Sequence, residues 1–134
     1  MGSKSMATIA GLDVGGAHLK VALVEDGRPV AVEQFLCPLW QGLDKLDAAL
    51  SAAAPMLAKA DRFAVTMTGE LSDLFATRAE GVAVLTRRIG AAFGPEASYW
   101  LGLRGFGTAE EARAHPADAG STNFLATAEA AARA

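Results

Sequence analysis

The sequence holds a single cysteine, Cys37. One thiol excludes an internal disulfide and any metal site assembled from several cysteines. It suits a reducing compartment, and a cytoplasmic protein is the expectation. Basic charge is also in short supply: 12 Lys and Arg stand against 15 Asp and Glu, a net charge of −3. Nucleic-acid binders usually show a basic patch, so nothing here argues for nucleic acid as a partner. No apolar run approaches the roughly 18–20 residues that span a bilayer, so no membrane partner is expected. Aromatics make up only 7% of the chain. Trp40, Tyr99, Trp100 and Phe106 are isolated and read as core rather than as a stacking platform. Internal repeats, low-complexity tracts and interdomain linkers are missing too.

What remains is an ordinary globular composition, 51% apolar and 20% charged over 134 residues. Residues 1–5 read as a tag remnant, too short and polar for a signal peptide, with Met6 as the native start. Residues 6–134 then form one domain, large enough to fold alone with little margin.

The first third reads as a meander of strands over Thr8–Asp13, Leu19–Glu25 and Pro29–Phe35. Asp26-Gly27 is a type I′ hairpin signal, and Cys37-Pro38 stops the third strand. Leu43, Leu46, Leu50, Ala53 and Leu57 lie at helical spacing and predict a helix over Leu43–Ala60, which Pro55 is expected to kink or split. Arg62–Met67 is a short, nearly continuous apolar strand of the kind covered on both faces. Leu71–Ala79 and Val82–Phe93 read as helices, Ser98–Leu101 as a strand, and Gly105-Phe106-Gly107 as loop or turn. Thr108 is expected to cap a short helix with Glu111 as its capping-box partner, ended by His115-Pro116. Asn123–Ala132 reads as a terminal helix. The order β-β-β-α-β-α-β-α excludes a Rossmann start, in which a helix follows the first strand. The expected class is α/β, a mixed sheet with flanking helices.

Three segments are candidates for chemistry. In Asp13-Val14-Gly15-Gly16-Ala17, paired glycines let backbone N–H groups approach an anion because no Cβ intervenes. Asp13, at a strand end, can hold Mg²⁺ beside phosphates. The plainer reading is a glycine hairpin with a turn aspartate. Lys20 either contacts phosphate or points to solvent, and His18 reads as a polar turn residue. In the second segment, Thr68-Gly69-Glu70-Leu71-Ser72-Asp73 follows a strand's carboxyl end, where open α/β sheets bind ligands. Glu70 and Asp73, three apart, would share a helix face and could hold a cation or a substrate amine; an acidic helix start accounts for them equally well. The third, Asp118-Ala119-Gly120-Ser121-Thr122, imitates a phosphate loop but lacks an apolar strand on either side. Asp118 or Ser121 reads instead as an N-cap. Arg87 and Arg88, adjacent on a helix, point apart and read as a solvated face.

The loop at Asp13 resembles the first phosphate loop of the actin-like ATPase superfamily, which includes sugar kinases and chaperone ATPases. The element order is that of one half of such a protein, a ribonuclease-H-like lobe. More closely, Gly11-Leu12-Asp13-Val14-Gly15-Gly16-Ala17-His18-Leu19-Lys20 is similar to the opening of the tetrahydromethanopterin-linked C1 transfer pathway proteins, relatives of the hydantoinase/oxoprolinase ATPases. Ala17, where sugar kinases usually place Thr or Ser, suits that family. Met67-Thr68-Gly69-Glu70-Leu71 with Asp73, Phe75 and Glu80-Gly81-Val82 resembles its second signature. Asn123-Phe124-Leu125-Ala126-Thr127-Ala128 resembles a later helix start.

The resemblance implies a transferase of methanofuran biosynthesis. Its chemistry joins an aminomethylfuran, activated as a diphosphate, to the phenol of a glutamyl-tyramine with release of pyrophosphate. For that chemistry, position points to Asp13 and Glu70 as catalytic, with Asp13 also facing Mg²⁺ and Glu70 taking the phenol's proton. Gly15, Gly16, Ala17 and Lys20 would hold phosphate, and Thr68, Gly69 and Asp73 would contact substrate. The family carries a second lobe, so this chain is expected to be the amino-terminal lobe with half a site, its partners a small-molecule diphosphate and the missing lobe. Two other readings stay open: an ATP-dependent kinase or hydrolase lobe of the same superfamily, and a non-catalytic domain that self-associates through an exposed apolar face.

Overall fold

The computed structural model describes residues 8–68, 74–93 and 97–119. Three strands, β1 (Thr8–Val14), β2 (His18–Glu25) and β3 (Arg28–Leu36), form an antiparallel meander. Asp26 and Gly27, at φ 54° and 73°, supply the two positive values that a type I′ turn between β2 and β3 needs. β4 (Arg62–Met67) runs parallel to β1, and β5 (Ala97–Trp100) parallel to β4. A two-residue β6 (Phe106–Gly107) pairs antiparallel with β5. The result is an α/β fold around a six-stranded mixed sheet of order β3-β2-β1-β4-β5-β6.

Alternation along each strand sorts residues onto two faces. Ala10, Leu12 and Val14 of β1, Leu19, Val21 and Leu23 of β2, and Val65 and Met67 of β4 join one core cluster. Helix α1 (Asp44–Leu57) adds Leu46, Ala49, Leu50, Ala53, Met56 and Leu57 to it, an apolar stripe at helical spacing. Helix α2 (Arg78–Phe93) adds Val82, Leu85 and Ile89. The short helices α3 (Ala109–Ala114) and α4 (Pro116–Ala119) add Ala112 and Ala119. All four described helices therefore serve the same face. Ile9, Gly11, Asp13, Ala22, Ala64 and Thr66 point to the opposite face. Ile9 and Ala64 cluster there with Phe106, and Ala22 is 3% exposed. Burial on both faces is why β1 and β4 are nearly continuous apolar runs. No helix among the described residues is long and apolar enough to cross a membrane.

Several local expectations need correction. Pro55 lies inside α1 without splitting it. Its missing N–H costs the bond to the Ser51 carbonyl, and the helix is held through it by Ala53, Met56 and Leu57, which are locked into the core. Helix α2 begins at Arg78 rather than Val82. Thr77 caps it: its Oγ1 accepts from Glu80 N–H at 3.1 Å and its carbonyl from Gly81 N–H at 3.0 Å. Glu80 reaches back to Ala76 N–H at 2.7 Å, so residues 74–77, expected to be helical, form turn and bend instead. Phe106-Gly107 is a strand, not loop, because β5 offers an unpaired edge. Asp118 is no N-cap; it sits within α4 and pairs with Arg104 at 2.8 Å. The capping box at Thr108 and Glu111 forms as expected. Ser121 and the terminal helix over Asn123–Ala132 lie outside the described residues.

Candidate functional site

β1 and β4 are parallel neighbours that end together, with Val14 opposite Met67 and Thr68 N–H donating to Val14 O at 3.0 Å. Beyond this point the chain departs in opposite directions. From β1 it folds back to β2; from β4 it proceeds to α2 and β5 on the other side of the sheet order. The carboxyl ends of parallel strands at such a divergence are the usual ligand position in open α/β sheets. Asp13, Gly15, Gly16, Ala17 and Thr68 all sit at this end.

The loop between β1 and β2 is held from one side. Gly15 N–H closes it on His18 O at 3.0 Å. The carbonyls of Gly16 and Ala17 accept from Leu39 N–H at 3.0 Å and Cys37 N–H at 2.8 Å, and Cys37 and Leu39 are fully buried. The amides of Gly16 and Ala17 have no hydrogen-bond partner among the described residues. Neither loop glycine takes a left-handed backbone conformation; what matters is space. A Cβ on Gly15 would meet the His18 carbonyl at 3.0 Å and Thr68 Oγ1 at 3.6 Å, whereas one on Gly16 would meet nothing within 4 Å. The loop is thus tight against the start of β2 at Gly15 and open at Gly16.

Asp13 lies opposite Lys20 on β2 and Thr66 on β4, forming a polar row across three strands. Its Oδ1 is buried and has no hydrogen-bond partner among the described residues. Burial pushes the Asp13 carboxyl above its ordinary value, and the nearby Lys20 ammonium opposes that shift. Lys20 itself is exposed. A partly desolvated carboxylate with an unused oxygen fits a hard cation. Among the described residues no group of three His, Cys, Asp or Glu could hold a metal alone. A Mg²⁺ ion at Asp13 would therefore complete its shell with water and phosphate oxygens, its common habit.

The other candidates separate. Glu70, Gly69 and Asp73 lie outside the described residues. His18 pairs with Leu36 across the meander. Arg88 forms an ion pair with Asp47 between α2 and α1, and Arg87 is exposed; both belong to the helical side. A cleft of about 540 Å³ on that side is lined by Leu50, Ala54, Phe63, Arg88 and Phe93, across the sheet from Asp13. Cys37 lies beside the loop, but burial pushes its thiol up to about 11, which disfavours a nucleophilic thiolate. Thr66 was not singled out from the sequence, although it is the one hydroxyl in the apolar run Phe63–Met67.

No family model matches the chain. Over 122 residues it is 32% identical to a protein of Methanocaldococcus jannaschii named (4-{4-[2-(gamma-L-glutamylamino)ethyl]phenoxymethyl}furan-2-yl)methanamine synthase. The chain is similar to this synthase along most of its length. The match covers 90% of this chain and 36% of that protein, so the chain spans about a third of the length of the curated relative it matches.

Proposed function

We propose that this chain is the amino-terminal, diphosphate- and cation-facing lobe of a methanofuran-type cofactor synthase, built on the ribonuclease-H-like half of an actin-like ATPase fold. The observation that carries the reading is the buried Oδ1 of Asp13, which, like the amides of Gly16 and Ala17 in the loop that follows, has no hydrogen-bond partner among the described residues. The likeness to the archaeal synthase supports the substrate class. An antiparallel meander followed by two parallel strands supports the lobe assignment.

In this reading the phenol oxygen of a glutamyl-tyramine displaces pyrophosphate from the methylene carbon of an aminomethylfuran diphosphate. One C–O ether bond forms, one C–O bond to the diphosphate breaks, and pyrophosphate leaves with the electron pair. Glu70 takes the phenol proton. The amides of Gly16 and Ala17, with Lys20, hold the diphosphate and stabilise charge as it develops there. Asp13 would hold Mg²⁺, and the ion would supply positive charge against the departing pyrophosphate. Thr68, Gly69 and Asp73 contact substrate, with Asp73 facing its ammonium group. The second lobe closes the site from the other side.

The test is coupling activity of the full-length protein, followed by pyrophosphate release. Asp13→Ala and Glu70→Ala are each expected to lower turnover at least about 100-fold. Wild-type rates in both variants would overturn the site. A melting shift with Mg²⁺-pyrophosphate but none with Mg²⁺-ATP is also expected. The reverse pattern would assign the lobe to a kinase or hydrolase instead.

A further inference from the structure

The proposed chemistry makes no use of Thr66, a buried polar side chain on β4. Thr66 is 1% exposed, in the middle of a sheet, and its Oγ1 has no hydrogen-bond partner among the described residues. A threonine hydroxyl in a strand that serves packing alone normally finds a carbonyl or another side chain. This one does not, and neither does Asp13 Oδ1, its cross-strand neighbour. The parallel register of β1 and β4 places the two residues opposite each other, and alternation puts both on the face away from the helices. Two orphaned oxygens side by side on adjacent strands mark a place where a third group satisfies both.

We propose that Thr66 is a positioning residue for the cation at Asp13, its hydroxyl completing an oxygen-donor pair on the β4 side of the carboxylate. The inference rests on the reading of Asp13 as a metal-facing residue and adds the side from which the metal is held. Charge decides that side. Lys20 flanks Asp13 on β2 and repels a cation there, while Thr66 flanks it on β4 and offers oxygen. The row therefore divides the site: cation between β1 and β4, anion toward β2 and the open flank of Gly16. A carboxylate and a hydroxyl, directly or through ordered water, are hard oxygen donors suited to Mg²⁺.

Thr66→Val and Thr66→Ser in the full-length protein test this, with MgCl₂ as the probe and two readouts, calorimetric Mg²⁺ affinity and melting temperature. Valine removes the hydroxyl at constant shape. It is expected to raise the melting temperature without Mg²⁺, because an unpartnered buried group is lost, and to weaken Mg²⁺ binding about tenfold. Serine keeps the hydroxyl and is expected to retain wild-type affinity. A hydroxyl with a merely structural role would instead lower the melting temperature with and without Mg²⁺ and leave affinity unchanged. Wild-type Mg²⁺ affinity in Thr66→Val, alongside loss of binding in Asp13→Asn, would overturn the role of Thr66 and leave Asp13 standing. Wild-type affinity in Asp13→Asn, or no Mg²⁺ binding by the wild type, would overturn both. Should Thr66→Val fold poorly, Thr66→Ala gives the same comparison, with affinity as the deciding readout.

Discussion

The candidate site is marked by departures from ordinary hydrogen-bond satisfaction. Nearly all buried polar groups in folded proteins find partners, and leaving one unpaired costs about 1–3 kcal/mol. Asp13 and Thr66 carry such atoms on facing residues. The two loop glycines divide their work in a way that substitution can separate. Gly15→Ala drives a Cβ against the His18 carbonyl at 3.0 Å, and the hairpin must open to admit it. That variant is expected to lose about 1–2 kcal/mol in denaturant melts, the ordinary scale of local overpacking. Gly16→Ala meets open space and is expected to stay within about 0.5 kcal/mol of wild type. It should nonetheless weaken pyrophosphate binding, since its methyl occupies the flank that the loop amides face. Equal destabilisation of the two variants, or unimpaired pyrophosphate binding in Gly16→Ala, would refute this division.

Element ends are where local chemistry speaks most clearly. Asp26-Gly27, Thr108 with Glu111, and the stop at His115 were all legible in the sequence, because each rests on contacts within a few residues. Thr77 obeys the same rule: a Thr three residues before Glu80 opens α2 four residues ahead of the expected start at Val82. Thr77→Ala is expected to cost about 1 kcal/mol by removing the cap. It should fray the first turn of α2 in hydrogen exchange, with the α3 capping box unaffected. The resemblance of Glu80-Gly81-Val82 to a family signature has a structural account here: Glu80 secures the helix start, while Gly81 and Val82 are buried. β6 could not be read locally. Two residues form a strand only because β5 lies beside them.

At the scale of the whole molecule, two buried acids set an alkaline limit. Burial pushes Cys37 from its ordinary 9.0 to about 11. It pushes Tyr99 from 10.0 to about 12, with Arg113 opposing. Tyr99 OH donates to Thr86 O at 3.4 Å, and Arg113 donates to Thr86 Oγ1 at 3.1 Å, so this corner joins β5, α2 and α3. Below pH 9 both groups are protonated folded or unfolded, and neither alters stability. As pH rises further the unfolded chain releases these protons first, so folding stability falls. The loss runs from about pH 9 to 11 for Cys37 and from 10 to 12 for Tyr99. Each contributes on the order of 2–3 kcal/mol once complete. Denaturant melts between pH 8 and 12 check this. Cys37→Ala is expected to remove the earlier part of the decline, and an unchanged pH profile in that variant would reject the assignment.

The sequence by itself determined what depends on near neighbours. The meander and its Asp26-Gly27 turn, the apolar stripe of α1, the doubly buried run of β4 and the glycine loop after Asp13 follow from turn chemistry and periodicity. It also singled out Asp13, Gly15, Gly16, Ala17 and Thr68 as candidates, and the fold gathers them at one end of the sheet. Tertiary structure alone decided which strands lie side by side. That order creates the divergence beyond β1 and β4, ties the loop down through Cys37 and Leu39, and sets Thr66 against Asp13. The separation explains the difference. Asp13 and Thr66 stand more than fifty residues apart in the chain, and only the hydrogen-bonded register of two parallel strands makes them neighbours.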